Sequence, residues 1–320
     1  MNDYTHITQG AAYLLRSDTP ALLLSGADRA DFLQRMTTNN IVALRPGMAA
    51  VTVLTSPTAR VVQVFTVLCR TEDLLLLPAP GESAALERHL RGQIFFMDKV
   101  TVRRLEGMAR LRVVGPRAAE AVQALGVAPV QSGWVEAQDL ITLAQQEYDL
   151  PGVELLFPDA LLESVLATLH AAGAAPVTDE MAWLARRIEL GRPAPGTELT
   201  GDYSPLEAGL GWACSENKGC YTGQEIIARQ ITYDKVTKLL VGLRTDALLA
   251  PGTALTADGR EVGTVTSVAH SPALGTPVAL AIVKRPHNAP GSVLLAGEVR
   301  AAVLSLPLVE SALLHTAVTR

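Results

Sequence analysis

The sequence is poor in cysteine, in long apolar runs and in net positive charge. Three cysteines in 320 residues, Cys69, Cys214 and Cys220, are too few for a disulfide framework. With no C-x-x-C pair to hold zinc or run dithiol exchange, a reducing compartment is expected and the chain reads as cytoplasmic. The longest apolar runs, Leu74 to Leu77 and Val61 to Leu68, fall far short of the roughly 20 residues that cross a bilayer, so no membrane span is expected. Met1 to His6 carry neither the basic nor the apolar region of a signal peptide. A formal charge of −5 argues against stable nucleic-acid binding by counterion release. No P-loop, G-x-G-x-x-G or G-x-S-x-G occurs, which removes nucleotide and nucleophile-elbow chemistry. His270 and His287 have no second ligand at metal spacing and read as solvated loop residues, so no metal site is expected.

What is present is a large apolar fraction, 48% of the chain, enough for two or three domains. Ala21 to Ser25 reads as a short strand, and Asp28 as the cap of a helix through Met36 with Phe32, Leu33 and Met36 inward. Val51 to Leu54, Val61 to Leu68 and Leu74 to Leu77 predict an antiparallel meander, followed by a helix over 81–91. Two strand-then-helix units come next, Leu111 to Leu125 and Val153 to Gly173, the second helix capped by Asp159. The fold class is therefore α+β. Past Lys238, alternating Val, Leu and Thr with turns at Pro251-Gly252, Asp258-Gly259 and Pro290-Gly291 predict a separate small β-barrel or sandwich over 239–320.

Two stretches promise chemistry. In Lys218-Gly219-Cys220-Tyr221-Thr222-Gly223-Gln224-Glu225, Thr222 and Glu225 have capping-box spacing, and Tyr221 with Ile226 has that of a hydrophobic staple. Cys220 would then sit just outside a helix N-terminus, where the dipole and the Lys218 ammonium both favour thiolate. The second stretch is a helix capped by Thr178 and ending at Gly191, with Met181, Leu184 and Ile188 inward. It sets Arg186 between Trp183 and Glu189, which spacing alone reads equally as a ligand wall or as a surface pair beside a packing residue.

Lys218 to Glu225 resembles the signature of the YgfZ family of folate-binding proteins, which share a tetrahydrofolate-binding fold with the aminomethyltransferase of the glycine cleavage system. Leu24 to Asp28, Arg187-Ile188-Glu189-Leu190-Gly191-Arg192-Pro193, Pro205 to Leu210 and Gly263 to Ser267 extend the resemblance in the family's order. It implies an aminomethyltransferase-like folate-binding fold with a C-terminal small β-barrel. One folate-binding subdomain would occupy 1–100, and a second, carrying the Cys220 motif, 101–238. It further implies a folate cavity in which Glu189 bonds the pterin and Arg187, Trp183, Tyr221 and Gln224 contribute, with Cys220 and Lys218 as the reactive groups. The function so implied is folate-dependent assembly or repair of iron–sulfur proteins, with a linked effect on tRNA modification and iron–sulfur client or assembly proteins as partners. The alternative is folate-dependent aminomethyl transfer, a one-carbon transferase activity. Against the alternative, the family's catalytic members carry an Asp-Asp pair where this chain has Gln63-Val64. Ala59 also stands where the family has Gly, so a φ > 0 turn would be strained or rebuilt.

Overall fold

The computed structural model describes residues 2–310 apart from 129 and 131. In chain order its elements are α1 (Asp3–Gln9), β1 (Ala11–Leu15), β2 (Leu22–Ser25), α2 (Arg29–Gln34), β3 (Ala49–Thr55), β4 (Val61–Cys69), β5 (Asp73–Pro78) and α3 (Ser83–Gly92). Then come β6 (Thr101–Arg104), β7 (Met108–Val114), α4 (Ala118–Gln123), β8 (Trp134–Ala137), β9 (Leu140–Gln145), β10 (Gly152–Pro158), α5 (Leu162–Ala171) and β11 (Ala174–Pro176). The remainder is α6 (Glu180–Glu189), α7 (Gln224–Thr232) and β12 (Lys238–Thr245), β13 (Ala254–Ala257), β14 (Arg260–Ser271), β15 (Thr276–Lys284), β16 (Val293–Ala296) and β17 (Val299–Leu304).

The meander forms as predicted and becomes a five-stranded antiparallel sheet in the order β3-β4-β5-β2-β6. Period-two alternation splits its apolar residues between two faces. Phe65, Val67, Leu74 and Leu76 meet Phe32 and Leu33 of α2 and Leu86 and Leu90 of α3. Leu68, Leu75 and Leu77 point the other way, onto Ile141, Leu143 and Leu156. Those three belong to a second sheet, β11-β1-β7-β10-β9-β8, antiparallel except for β1 beside β11. Its outer face is closed by α4 and α5 through Val122, Val165 and Leu169. The N-terminal strand β1 thus pairs in the second sheet although β2 and all the rest of residues 22–104 build the first.

Residues 238–304 close into a six-stranded barrel, β12-β15-β14-β13-β16-β17, filled by Val and Ala with Leu243, Leu255 and Leu294. It joins the sheets through α6, whose Ala185 and Ile188 pack on Ala269, Val278 and Leu280. His270 lies in β14, with an exposed side chain, and not in a loop.

Helix starts depart from the sequence reading. Asp28 stands at the α2 cap position without capping it, because its Oδ2 accepts from Lys99 N. Asp159 opens a 3₁₀ turn, Asp159–Leu161, ahead of α5 and makes no cap bond. Asp179, not Thr178, caps α6 by accepting from Met181 N, while Thr178 is engaged by Asp3.

Candidate functional site

Cys220 is exposed, whereas Cys69 and Cys214 are buried. Its loop is laced by backbone bonds to two segments of the first sheet unit. On the α2 side, Ser215 N donates to Thr38 O at 2.9 Å, Thr38 Oγ1 to Ala213 O at 2.7 Å, and Thr222 N to Arg35 O at 3.0 Å. On the β3–β4 side, Thr55 Oγ1 donates to Thr222 O at 2.6 Å. Gly223 has φ 84°, and a Cβ there would lie 2.8 Å from Ser56 O and 3.0 Å from Ala59 Cα. Only glycine satisfies both the conformation and the approach. The partner residue Ala59 keeps φ 58° while fully buried, so the turn that alanine was expected to strain or rebuild is retained with its strain.

The expected capping box does not form. The left-handed Gly223 is itself the α7 cap residue, which leaves Thr222 outside the helix and Glu225 in its first turn, paired to Arg229 at 2.6 Å on the surface. Gln224 performs the local service instead, its Oε1 accepting from Tyr221 N at 3.3 Å. Nor does the staple form. Tyr221 is buried against Ile227, Ala59 and Cys214, and Ile226 is turned to solvent. Lys218 is likewise corrected. Its ammonium donates to Gln34 O at 2.9 Å, to Thr37 O and to Asn39 O at 2.8 Å, and lies 4.7 Å from the Tyr221 ring centre. Burial pushes Lys218 down to about 8 and the neighbouring Cys214 thiol up to about 12. Sequence reasoning missed residues 34–39 as the floor of this site. The available signal was the run Thr37-Thr38-Asn39-Asn40 directly after the apolar stripe of α2.

On α6 the buried face is Ala182, Ala185, Arg187, Ile188 and Glu189, and Met181, expected inside, is exposed. Glu189 accepts from Tyr4 Oη on both oxygens (2.8 and 2.7 Å), from Ser271 Oγ at 2.6 Å and from Arg186 Nη1 at 3.1 Å. Three donors thereby meet the carboxylate, the single phenolic proton being shared between its two oxygens. Burial and that hydrogen bond with Glu189 drive the Tyr4 phenol upward, so it stays a donor. Arg187 reaches Glu198 at 2.9 Å, Ser267 at 2.6 Å and Arg192 O at 2.8 Å, a strut between the sheets and the barrel. Trp183 packs beside Ile7, Ala182 and Leu190, with the Arg16 guanidinium 5.4 Å from its ring centre. The structure therefore gathers Lys218, Cys220, Tyr221 and Gln224 into one loop and Trp183, Arg187 and Glu189 into a different region, the junction of α6 with α1 and the barrel.

Gln63 and Val64 fall on opposite faces of β4. Gln63 turns to the start of α3, where its Nε2 donates to Glu82 at 2.6 Å and its buried Oε1 has no partner among the described residues. Val64 turns inward, into an apolar cluster with Tyr148, Leu199, Ala208, Leu210 and Ala213. Between the sheets, Glu154 is clamped by Arg110 and Arg112, and Arg112 also donates to the carbonyls of Gln145, Tyr148 and Leu150. A polar cleft beside this network is lined by Ala49, Val51, Thr66, Gly133, Gln145 and Gln146, and the buried Gln146 Oε1 atom has no partner among the described residues. Among the described residues no group of three His, Cys, Asp or Glu is placed to hold a metal ion, and no helix is long and apolar enough to cross a membrane.

Comparison with known proteins agrees with this architecture. Residues 3–218 match the GCVT N-terminal domain and residues 238–310 the glycine cleavage T-protein C-terminal barrel domain. A chloroplastic protein of Arabidopsis thaliana named as a putative transferase is 34% identical over 253 residues, which span 76% of this chain and 58% of that protein. The aminomethyltransferase of Desulforamulus reducens is 30% identical over 278 residues, 82% of this chain and 76% of that protein. In three dimensions, the glycine cleavage system aminomethyltransferase T from Bartonella henselae superposes with a TM-score of 0.86 at 22% identity, over 96% of this chain and 88% of that one. The fold is that of the aminomethyltransferases, and this chain belongs to the glycine cleavage T-protein family.

Proposed function

We propose that this chain is a tetrahydrofolate-binding protein of the cytoplasm that serves the assembly or repair of iron–sulfur proteins, with a linked effect on tRNA modification, through the thiol of Cys220. The observation that carries the reading is the contrast between β4 and the Cys220 loop. Aminomethyl transfer needs a carboxylate beside the folate nitrogens to stage charge and protons. The inward position of β4 is Val64 in a dry apolar cluster, and Glu82 stands on the other face with Gln63. The exposed nucleophile is Cys220, on a loop whose ends are fixed by backbone bonds. The YgfZ-like signature at 218–225 supplies the iron–sulfur assignment.

For the folate, Glu189 as it stands is fully buried and already met by three donors, and one side of Trp183 is covered by Arg16. An acceptor without a donor among the described residues does exist in the cleft between the sheets, at Gln146. Titration of tetrahydrofolate, followed by calorimetry and Trp fluorescence, should saturate. Glu189→Gln and Gln146→Ala then assign the site by which of them abolishes the heat. No saturable binding by wild type sinks the folate claim. Separately, full rescue of an iron–sulfur enzyme by Cys220→Ser, in cells lacking the protein, sinks the thiol claim. The second reading, aminomethyl transfer, is favoured by the relatives' names. Turnover on an aminomethyl-loaded lipoyl carrier at the level of a true aminomethyltransferase would establish it in place of the first.

A further inference from the structure

We propose that Lys218 is a positioning residue, an ammonium clamp that holds the Cys220 loop on the end of α2, and not the group that activates the thiol. An ammonium has three N–H donors, and all three of these are taken by the carbonyls of Gln34, Thr37 and Asn39. Gln34 ends α2, and the carbonyls of a helix end lack partners within their own helix. Lys218 supplies that cap from a segment about 180 residues further along the chain, as the sequence separations of 184, 181 and 179 record. No N–H of Lys218 is left over for a thiolate.

The clamp is also singly placed. Ser215 and Thr222 tie down the two ends of the loop through neutral backbone bonds. Among the described residues, Glu216, Asn217, Gly219 and Cys220 make no hydrogen bond, so between Ser215 and Tyr221 the Lys218 side chain alone fastens the loop. Removing it frees the stretch that carries the cysteine while both ends stay attached.

The clamp has a pH signature. The groups facing Lys218 are Cys214 and Tyr221, and burial raises both, so neither ionises before it. Arg35, the residue after α2, is turned away to Asp98 at 2.9 Å, and Glu216 lies on the loop itself with its side chain in solvent. As pH rises through about 8, Lys218 loses its proton. The neutral amine keeps two donors for three carbonyls and no charge assistance, so the loop loosens.

This inference deepens the reading of Cys220 as the acting group, and its test is chemical and needs neither folate nor a partner. In full-length protein, Cys220 alkylation by iodoacetamide is followed against pH by mass spectrometry, and the mobility of a nitroxide attached to the exposed Cys220 is measured alongside by electron spin resonance at pH 7. Lys218→Met is expected to leave the apparent thiol pKa within about 0.3 unit of wild type and to raise the label's mobility about threefold, with partial recovery in Lys218→Arg. A thiol pKa raised by about one unit or more, or unchanged mobility, overturns the proposal. Should Lys218→Met fail to fold, wild type decides. The label's mobility must rise above pH 8 more than that of a label on a flanking strand, and its failure to do so overturns the proposal equally.

Discussion

Helix α6 turns Arg187 and Glu189 inward, the loop from Ser215 to Gly223 is held by its two ends and by Lys218, and the two regions differ in what they leave for solvent. On α6, Glu189 and Arg187 are consumed in joining the sheets to the barrel, through Tyr4, Ser271, Glu198 and Ser267. In the loop, the polar bonds are spent on main-chain carbonyls of residues 34–39, and the cysteine is left outside. Charged residues at a domain junction are therefore weaker pointers to chemistry than one exposed thiol on a segment pinned to the fold beneath it. Buried pairs of the first kind fix geometry, at a desolvation cost that only complete hydrogen bonding offsets.

The sharpest way to break the contrast is to put charge where the molecule has kept none. Val64→Asp sets a carboxylate among Tyr148, Leu199 and Leu210, where it must either ionise in an apolar cluster or take a proton at neutral pH. A loss of about 4–5 kcal/mol is expected, from a pKa displaced by roughly three units or more. Gln63→Asp, on the other face of the same strand, should cost less than half of that. Urea melts at pH 7 compare them, and equal losses would mean that the two positions do not face different surroundings.

Next in size is the contrast between α6 and the loop itself. Glu189→Ala leaves Arg186 and the hydroxyls of Tyr4 and Ser271 without their acceptor, at an expected cost of about 3 kcal/mol. Cys220→Ser, at an exposed site, should stay within about 0.5 kcal/mol of wild type. If the order were reversed, the loop would be the structural element and the helix the expendable one.

The smallest expected effect is in acid. Burial alone would raise the Glu154 carboxyl, but Arg110 and Arg112 outweigh it and hold Glu154 below the ordinary range. Asp149, beside Arg16 and Arg112, and Glu198, beside Arg187, behave alike. A depressed folded pKa stabilises above the unfolded value, near 4 for these side chains, and that stability is lost as pH falls through the folded value. Melting temperature should thus be level from pH 7 to about 5 and fall below about 4. In Glu154→Gln, weaker at neutral pH, the acid limb should be shallower. An acid limb as steep as that of wild type would show that Glu154 carries none of it.

Much of this was legible in the sequence where side chains alternate strongly. The meander, the inward stripe of α2, the Leu86 and Leu90 face of α3 and the barrel all follow from period and turns. Strands β1, β8, β9 and β11 did not. β8 is largely exposed, and β11 is only Ala-Ala-Pro, so neither shows an apolar pattern. The exposed cysteine was legible, and its cap was not, because a left-handed glycine moved the helix start by one residue. The buried arginines had a signal that went unread. Arg110 and Arg112 alternate with Ala109, Leu111 and Val113 in β7, and Glu154 sits opposite in β10, a charge set on one face of two paired strands. The run Thr37-Thr38-Asn39-Asn40 marked the floor of the site, but nothing joined it to Lys218, since partners about 180 residues away leave no local trace of the bond.

The contact between Gly223 and the Ala59 turn also limits how this protein can change over generations. With Ser56 O and Ala59 Cα both within 3.0 Å of a notional Cβ, any side chain at 223 collides with main chain, which cannot step aside as a side chain would. A larger residue at the fully buried position 59 would press from the other direction while paying for φ 58° as well. Any side chain at 223 and any residue larger than alanine at 59 are closed paths unless the hairpin moves as a whole, whereas Ala59→Gly, which relieves the positive φ, stays open. Variation in the Cys220 region should accordingly gather at its solvent-facing residues, Glu216, Asn217, Gly219 and Glu225, where a partner could be selected without disturbing the fold beneath.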